Sequence, residues 1–238
     1  MGKRSNMILK RKVLSLVVLF ISFFNASFSS FATDKEVPFQ NDWLKTHYQQ
    51  RLALFSTQPL EKGDVVFIGD SLTELGANWA VRFENLKIRN RGIAGDTTYG
   101  VLARLDELES SQPSAVFILI GINDIFNLFY EQQIKKLSDA AANIAKITSR
   151  LNNSLPNTKI FVLGLLPDHR DFITVMAKEV NRQILSITNP NFTFLNFHDQ
   201  FAVDGVMNPE LTTDGTHLNR KGYQIWKNVL LPHLDGIQ

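Results

Sequence analysis

The sequence predicts an α/β domain built on a mostly parallel sheet of five strands, and two observations support this fold class. Five apolar runs alternate along the chain with stretches in which apolar residues recur at helical spacing. Several of these runs are apolar at consecutive positions, which is typical of strands covered by helices on both faces. Strands that alternate with helices form βαβ units and a parallel sheet.

The predicted strands cover residues 64–69, 86–90, 115–121, 159–165 and 192–197. The predicted helices cover residues 42–55 and 72–83, two apolar stripes within 134–151 and 172–187, and residues 219–233. In sheets of this kind, binding and catalytic sites form beyond the carboxyl ends of the strands. Residues that directly follow a strand are therefore the first candidates for function.

Residues 1–32 have the pattern of a secretory signal peptide. Five lysines and arginines precede or flank the apolar run 13–24, and Ser30-Phe31-Ala32 offers small residues for cleavage. An apolar run of about 12 residues is too short to span a bilayer, although an uncleaved N-terminal anchor is the alternative. We therefore expect a secreted or periplasmic protein with one domain over residues 33–238 and no membrane span after cleavage.

Charge and cysteine content exclude several classes of function. The whole chain has a formal net charge of +2, but residues 33–238 hold 20 basic and 23 acidic residues, a net charge of −3. No basic patch is left that would neutralise several phosphates, so we expect no nucleic-acid partner. The chain has no cysteine and therefore no disulfide or thiolate chemistry. The sequence leaves the oligomeric state undetermined.

A serine directly follows the first predicted strand, in Gly69-Asp70-Ser71-Leu72. A serine at a helix N-terminus faces free backbone N–H groups and the positive end of the helix dipole, which stabilise an alkoxide. The structural alternative is that Ser71 only caps the helix, with Glu74 completing a capping box.

Two further strand ends carry groups suited to holding an oxyanion. The glycines of Gly92-Ile93-Ala94-Gly95 allow the Gly95 N–H to approach a ligand closely. Asn123 offers a neutral amide donor, which does not compete for the proton of a base. Taken alone, the Gly92–Gly95 segment is better explained as an ordinary turn before a helix, and the Asn123 segment is equally well explained as one. We interpret Asp124 as structural.

An acid and an imidazole lie three residues apart at Asp214 and His217. This spacing allows a turn to place the carboxylate against one ring nitrogen while the other faces Ser71. Taken alone, the segment is better interpreted as an exposed turn. Together with Ser71 it predicts a nucleophile, its base and the group that orients the base.

His169, in the loop after the fourth strand, and Asp70 are candidate substrate-pocket residues, whereas His47 and His233 are interpreted as helix-surface residues. The sequence has no phosphate-binding loop, no dinucleotide fingerprint and no metal-binding motif, so we expect neither a cofactor nor a metal. It also lacks the Gly-x-Ser-x-Gly elbow, which argues against the α/β-hydrolase fold.

Taken together, these segments resemble the SGNH, or GDSL-type, hydrolase superfamily. Its four blocks are matched in order by Gly69-Asp70-Ser71-Leu72, Gly95, Gly121-x-Asn123-Asp124 and Asp214-x-x-His217. The resemblance implies a three-layer α/β/α sandwich of flavodoxin-like topology. It also implies a nucleophile, base and acid, and an oxyanion hole. The triad would be Ser71, His217 and Asp214, and the hole would consist of the N–H groups of Ser71 and Gly95 and the side chain of Asn123.

Residues 92–98 and 163–167 resemble the platelet-activating-factor acetylhydrolase-like branch and the secreted carbohydrate esterases similar to it. That branch continues with Arg-Gly after Leu-Leu-Pro, whereas this chain has Asp168-His169. The resemblance implies a serine esterase for short acyl groups, and a carbohydrate O-acetylesterase, such as a sialate O-acetylesterase, is the first interpretation. The expected partner is a small-molecule or carbohydrate acyl ester.

Two alternative functions remain open. A lysophospholipase or thioesterase would need an apolar groove for a longer acyl chain. The candidate groove residues, which we interpret as core, are Phe126, Leu128, Phe129 and Tyr130. The other alternative is a non-catalytic binding protein of the cell envelope.

Overall fold

The computed structural model of the 238-residue chain describes residues 36–84, 87–188 and 190–237. The predicted signal peptide lies outside these ranges. Residues Val37–Gln238 cluster as one compact unit. Within the described ranges, no helix has both the length and the apolar character needed to cross a membrane.

Five parallel strands form the central sheet: β1 (Val65–Gly69), β2 (Ile88–Gly92), β3 (Ala115–Leu119), β4 (Lys159–Leu163) and β5 (Thr193–Leu195). Their order across the sheet is β2-β1-β3-β4-β5, which is the flavodoxin-like order. The predicted fold class is confirmed. Every residue of β1 and β3 is buried, as expected for strands covered on both faces.

The helices that flank the sheet begin with α1 (Asp42–Ser56), α2 (Ser71–Glu74), α3 (Trp79–Arg82), α4 (Thr98–Ala103), α5 (Asp106–Ser111) and α6 (Ile122–Phe126). They continue with α7 (Ser138–Ser154), α8 (Asp171–Leu185), α9 (His198–Phe201) and α10 (Arg220–Leu234). A π-helical turn covers Asn127–Glu131, a 3₁₀ turn covers Pro209–Leu211, and a two-stranded hairpin joins β6 (Ala202–Val203) to β7 (Val206–Met207).

The strand register brings three strand ends to the same level. Gly69 of β1 lies opposite Gly92 of β2 on one side and Leu119 of β3 on the other. The predicted third and fourth strands extend two residues too far, because Ile120 and Leu165 are buried although they lie beyond the strands. Burial without strand pairing gives the same apolar pattern as a strand.

The prediction of one continuous helix over 72–83 is wrong, because the chain forms two short helices there. Ala77 has φ +57°, in the left-handed region, and the side chain of Asn78 starts α3 by accepting the Val81 N–H. At Gly76 a Cβ atom would lie 1.9 Å from the Trp79 ring, so glycine is required where the chain turns. Ile134 and Leu137, which share the stripe of the next predicted helix, precede α7.

An aromatic cluster ties the C-terminal helix to the segment after β1. The ring of Trp79 contacts Phe67 of β1, with centroids 5.0 Å apart, and Trp226 of α10, with centroids 5.2 Å apart. The Tyr223 hydroxyl of α10 donates to the backbone oxygen of Leu72 at 2.8 Å. Because α10 follows Asp214 and His217 in the chain, these contacts fix the C-terminal segment relative to Ser71.

The close contact between β1 and β3 leads to a prediction about stability. A Cβ atom at Gly69 would lie 2.0 Å from the backbone oxygen of Leu119. This oxygen cannot move aside without disturbing the sheet, so we expect Gly69→Ala to lower the free energy of unfolding by about 3 kcal/mol. Equilibrium urea unfolding measures the change.

The matched control is Gly164→Ala, because there the nearest atom is Cζ of the half-buried Phe194 ring, at 2.9 Å. A side chain can shift where a strand backbone cannot, so we expect a loss of only about 1 kcal/mol. Equal losses in the two variants would contradict the assigned role of the Leu119 backbone.

Candidate active site

Ser71 is the first residue of α2, directly beyond the end of β1. The N-cap of this helix is Asp70, whose Oδ1 accepts the Leu72 N–H at 3.0 Å. The alternative capping box is wrong, because Glu74 Oε2 accepts the Ala94 N–H at 2.6 Å and contacts His47 Nε2 at 2.9 Å. Ser71 is therefore held at a helix N-terminus while a different residue provides the cap.

Tertiary hydrogen bonds stabilise α2, which at four residues is too short to be stable alone. The indole N–H of Trp79 donates to the Thr73 oxygen at 3.0 Å. The Asn90 amide donates to the oxygens of Thr73 and Glu74 at 3.0 and 3.1 Å. The position of Ser71 thus depends on contacts from β2, α3 and α10.

The structure brings Ser71, His217 and Asp214 into one hydrogen-bonded chain. His217 Nε2 lies 3.0 Å from Ser71 Oγ, and His217 Nδ1 lies 2.7 Å from Asp214 Oδ2. A proton on Nδ1 would face the carboxylate and leave Nε2 free to accept the serine proton. This is the geometry of a nucleophile, a general base and the acid that orients the base.

The loop that carries these residues also fixes the carboxylate. Asp214 Oδ1 accepts the backbone N–H groups of Thr216 and His217 at 2.9 and 2.7 Å. Partial burial pushes the pKa of Asp214 up. The hydrogen bonds from the His217 ring and from these two N–H groups outweigh this effect and lower it to about 2. Asp214 is therefore charged at neutral pH and stabilises a protonated His217 ring.

The predicted oxyanion-hole residues lie at the neighbouring strand ends. Gly95 has φ +77°, and a Cβ atom there would lie 2.1 Å from Leu44 Cδ2. Asn123 Nδ2 donates to the Asp96 oxygen at 2.8 Å, which holds its amide against the turn at Gly95. An amide nitrogen carries two hydrogens, so the second is available to a ligand.

Asp124 ties α6 to α4, in agreement with its structural interpretation. Its carboxylate accepts both the backbone N–H of Thr98, at 2.9 Å, and the Thr98 hydroxyl, at 2.5 Å. Burial raises the pKa of Asp124 to about 7, against the two hydrogen bonds from Thr98. Through this contact, the helix that carries Asn123 is joined to the helix that follows Gly95.

A buried arginine that the sequence reasoning missed connects these strand ends. Arg104 donates to Asp96 Oδ2 from Nε and Nη2 at 3.1 and 3.0 Å. It also donates to the backbone oxygens of Gly69, at 3.1 Å, and Arg91, at 2.7 Å. Burial raises the pKa of Asp96 to about 6 although Arg104 opposes that change. One guanidinium therefore joins β1, β2 and the turn after Gly95.

A second missed group, the carboxylate of Asp168, holds the loop between Asp214 and His217. Asp168 Oδ2 accepts the Thr216 hydroxyl at 2.6 Å and Arg170 Nη2 at 2.8 Å. Burial pushes the pKa of Asp168 up, but the hydrogen bonds from Arg170 and Thr216 outweigh it and hold the pKa below its usual range. One feature of the sequence could have pointed to Asp168: the chain has Asp168-His169 after Leu-Leu-Pro, where the similar branch has Arg-Gly.

The two candidate pocket residues lie in different environments. The His169 side chain is half exposed and packs over Gly215, whose oxygen accepts the His169 N–H at 2.9 Å. Asp70 is fully buried, and among the described residues its Oδ2 has no hydrogen-bond partner. Burial raises the pKa of Asp70 to about 7, despite the hydrogen bond from Leu72, and the charges of Asp96 and Asp124 raise it further.

Asp70 lines a small, mostly enclosed cavity. The cavity has a volume of about 10 Å³, which is room for about one water molecule. Its lining includes Leu72, Ile122 and Thr216, which directly adjoin Ser71, Asn123 and His217 in the chain. The remaining lining residues are Leu119, Leu165, Leu166, Pro167 and Asp168.

An exposed aromatic patch is joined through Arg170 to the Asp214–His217 loop. We define the aromatic patch as Phe129, Tyr130 and Phe172, which are 48%, 53% and 40% exposed. Arg170 donates to both the Tyr130 hydroxyl, at 2.9 Å, and Thr216 Oγ1, at 3.3 Å, so the patch is joined to the loop. The interpretation of Phe129 and Tyr130 as core is therefore wrong, while Phe126 packs against the core.

His47 is also more than a helix-surface residue. Its ring stacks on Trp43, with centroids 5.1 Å apart, and its Nε2 lies 2.9 Å from Oε2 of the half-buried Glu74. Since Glu74 also accepts the Ala94 N–H, His47 is joined through it to the loop that precedes Gly95.

Comparison with known proteins gives one consistent family. A family model described as the GDSL-like lipase/acylhydrolase family matches residues 67–225. The platelet-activating factor acetylhydrolase IB subunit alpha2 of Rattus norvegicus is 31% identical over 191 residues, covering 76% of this chain and 78% of that protein. The alpha1 subunit from the same organism is 30% identical over 193 residues, covering 76% and 77%.

Solved structures share the fold at lower identity. A GDSL-like lipase from Bacteroides thetaiotaomicron has a TM-score of 0.67 and 23% identity, covering 82% of this chain and 98% of that chain. An acetylxylan esterase from Geobacillus stearothermophilus has a TM-score of 0.59 and 19% identity, covering 74% and 96%.

The Asp168 contacts predict an effect on the loop that carries His217. In Asp168→Ala the loop loses the buried acceptor of the Thr216 hydroxyl. We expect kcat for ester hydrolysis to fall about 10- to 100-fold, because a small displacement of His217 is enough to slow the reaction this much. Steady-state kinetics measures the loss, and circular dichroism checks the fold. The matched control is Asp171→Ala, an exposed carboxylate three residues along, which we expect to change kcat less than twofold. Similar losses in both variants would remove this role from Asp168.

The buried Asp70 predicts a pH-dependent stability. The folded protein keeps the Asp70 proton up to about pH 7, whereas an unfolded aspartate loses it near pH 4. The stability that this proton contributes is therefore present below pH 4 and is lost as the pH rises through 7. Asp70→Asn keeps an oxygen for the Leu72 N–H and removes the titration. We expect its stability relative to wild type to increase from pH 4.5 to 8, by at most about 1.4 kcal/mol per pH unit.

Urea unfolding of Asp70→Asn and wild type across this pH range provides the measurement. Asp96 and Asp124 are present in both proteins, so the difference reports the titration of Asp70 together with its coupling to these two carboxylates. Asp171→Asn serves as the exposed control and should show no such trend. A constant offset between Asp70→Asn and wild type at every pH would show that Asp70 does not hold a proton in the folded state.

Proposed function

The chain belongs to the GDSL-like lipase/acylhydrolase family and is a carboxylic ester hydrolase, and from this premise we propose that it removes short acyl groups, chiefly acetyl, from a carbohydrate. The catalytic groups are Ser71, His217 and Asp214. The observation that carries this assignment is the continuous hydrogen-bonded chain through the three side chains, at 3.0 and 2.7 Å.

In the proposed mechanism His217 Nε2 takes the proton of Ser71 Oγ as that oxygen attacks the ester carbonyl. Asp214 stays charged and stabilises the imidazolium that forms. The imidazolium then protonates the departing alcohol, and a water molecule activated by His217 cleaves the acyl-enzyme. The protein's own side chains account for every proton transfer in these reaction steps.

Three donors are proposed to hold the oxyanion: the N–H groups of Ser71 and Gly95 and the amide of Asn123. The first lies at the N-terminus of α2, where the backbone N–H is not used by the helix. The third is fixed by its contact with the Asp96 oxygen. Because these donors are positioned before the substrate binds, they stabilise the developing charge without reorganisation.

The preference for a short acyl group is supported by the small cavity beside the site. Most of its lining residues are apolar, and its volume of about 10 Å³, room for about one water molecule, leaves no space for a long chain. The relatives at 30 and 31% identity are named acetylhydrolases, which points to the same acyl group.

The carbohydrate part of the proposal is supported by the resemblance to secreted carbohydrate esterases and by the fold shared with acetylxylan esterases. A sialate O-acetylesterase is one member of this substrate class. The N-terminal sequence supports a location outside the cytoplasm, where polymeric and glycoconjugate acetyl esters are met.

A lysophospholipase or thioesterase is the second candidate, because the exposed aromatic patch offers apolar surface near the Asp214–His217 loop. A long acyl chain would lie outward across Phe129 and Phe172 rather than inward in the small cavity. The chain-length preference of the enzyme distinguishes the two candidates.

Hydrolysis of p-nitrophenyl esters from acetate to dodecanoate tests the acyl preference. We expect acetate to have the highest kcat/KM, because the small cavity excludes longer chains. Ser71→Ala should lose roughly 10⁶-fold in kcat, as removal of a triad nucleophile does. Ser149→Ala, at an exposed serine of α7, is the matched control and should retain activity. Faster hydrolysis of long chains than of acetate would favour the lysophospholipase or thioesterase, and full activity in Ser71→Ala would remove the nucleophile assignment.

A further inference from the structure

A tryptophan near the start of α1 is held beside the turn at Gly95. The Trp43 side chain is 61% exposed. A Cβ atom built on Gly95 would lie 3.7 Å from Trp43 Cζ3, so the indole edge lies next to a proposed oxyanion-hole residue. Exposed apolar residues are common and need no explanation when they are isolated. Trp43 differs from such isolated residues because it adjoins the proposed oxyanion hole.

The helix that carries Trp43 is fixed to both sides of the loop that joins β2 to α4. Arg51 donates to the Gly92 oxygen from Nε and Nη2 at 3.1 and 2.9 Å. The buried hydroxyl of Tyr48 donates to the Gly100 oxygen at 3.0 Å. At the start of the helix, the side chain of Asn41 accepts the Leu44 N–H at 2.9 Å. Trp43 therefore projects from a helix that is docked on the segment containing Gly95.

The orientation of the indole is fixed as well. The His47 ring lies parallel to it, with 6° between the planes and 5.1 Å between the centroids. His47 Nε2 in turn contacts the carboxylate of Glu74 at 2.9 Å, and Glu74 is the last residue of the helix that begins at Ser71. The His47 ring covers one face of Trp43 and is itself held by Glu74 of α2. Because Trp43 is largely exposed, its other face is open to solvent.

We propose that Trp43, backed by His47, is a stacking platform for the sugar ring that carries the ester. This inference rests on the proposed carbohydrate function and names the residue that selects the alcohol part of the substrate. The C–H groups on one face of a pyranose pack against an aromatic face, while its hydroxyl groups stay in water. A fixed aromatic ring gives large contact area at low entropic cost.

The surroundings of the platform favour a neutral ring over other alcohol groups. A quaternary ammonium group would gain from a free carboxylate beside the ring, but Glu74 is already engaged by Ala94, His47 and Arg51. A long acyl chain would gain most from an enclosed groove, whereas Trp43 offers a single open face. The flat, exposed geometry suits a pyranose.

Kinetics on two acetyl esters tests the platform in the full-length protein. Methyl 2,3,4-tri-O-acetyl-β-xylopyranoside presents a sugar ring, and ethyl acetate presents the same acyl group without one. We expect Trp43→Ala to lower kcat/KM about tenfold more for the sugar ester than for ethyl acetate, mainly through KM. Trp43→Phe should recover most of the loss, because it restores an aromatic face. Phe172→Ala, in the aromatic patch, is the matched control for an exposed ring.

Three results would overturn the proposal. Equal losses on both esters in Trp43→Ala would mean that Trp43 supports the fold or the oxyanion hole rather than the sugar. A selective loss in Phe172→Ala would place the sugar on the aromatic patch. No recovery in Trp43→Phe would remove aromatic stacking as the cause.

A wild type that cleaves ethyl acetate but no acetylated sugar would show that the carbohydrate function has failed. Saturation-transfer NMR of methyl β-xylopyranoside with Ser71→Ala and with Ser71→Ala/Trp43→Ala then tests the platform independently of turnover. Binding that depends on Trp43 supports the platform, and the absence of such binding overturns it.

Discussion

The buried ion pair between Arg104 and Asp96 is the interaction on which the site depends. Its two side chains are 6% and 0% exposed, and the guanidinium also binds the backbone oxygens of Gly69 and Arg91. The desolvation of two charges offsets much of their attraction, so such a pair contributes more to a defined geometry than to net stability. Here that geometry is the alignment of the strand end before Ser71 with the turn at Gly95.

The carboxylates beneath the site are held there at an energetic cost. Asp70, Asp96 and Asp124 are all buried, and burial raises the pKa of each. Each carboxylate holds a backbone N–H at the start of a helix or turn, which fixes the segments that carry the proposed catalytic groups. Positioned dipoles of this kind are what an oxyanion-forming reaction requires, even where they reduce the stability of the fold.

The rim of the site is divided between two chemically different surfaces. On the Gly95 side, α1 presents one oriented indole. On the Thr216 side, Arg170 joins the aromatic patch to the carboxylate of Asp168. The small cavity is lined by residues that adjoin Ser71, Asn123 and His217 in the chain, and we propose that it limits the acyl part of a substrate. Under this proposal the alcohol part meets the rim, and residues outside the strand ends select it.

The sequence alone determined the sheet and the residues at its carboxyl edge. Consecutive apolar positions identified the strands, and the parallel arrangement that follows placed Ser71, Gly95 and Asn123 at one edge. The three-residue spacing of Asp214 and His217 is also local, so their mutual contact was predictable. Their proximity to Ser71 was inferred from the chemistry of the three side chains and from the resemblance to a family, since 146 residues separate His217 from Ser71.

Only the tertiary structure decided how these residues are supported. The partner of Asp168 lies 48 residues away in Thr216, and the indole of Trp43 reaches Gly95 from a separate helix. The break between α2 and α3 was likewise not predictable, because the apolar residues of this segment fit a continuous helix. The break depends on the packing of Trp79 over Gly76. Periodicity reports which face of an element is buried, whereas the choice of a distant polar partner depends on how all the elements pack together.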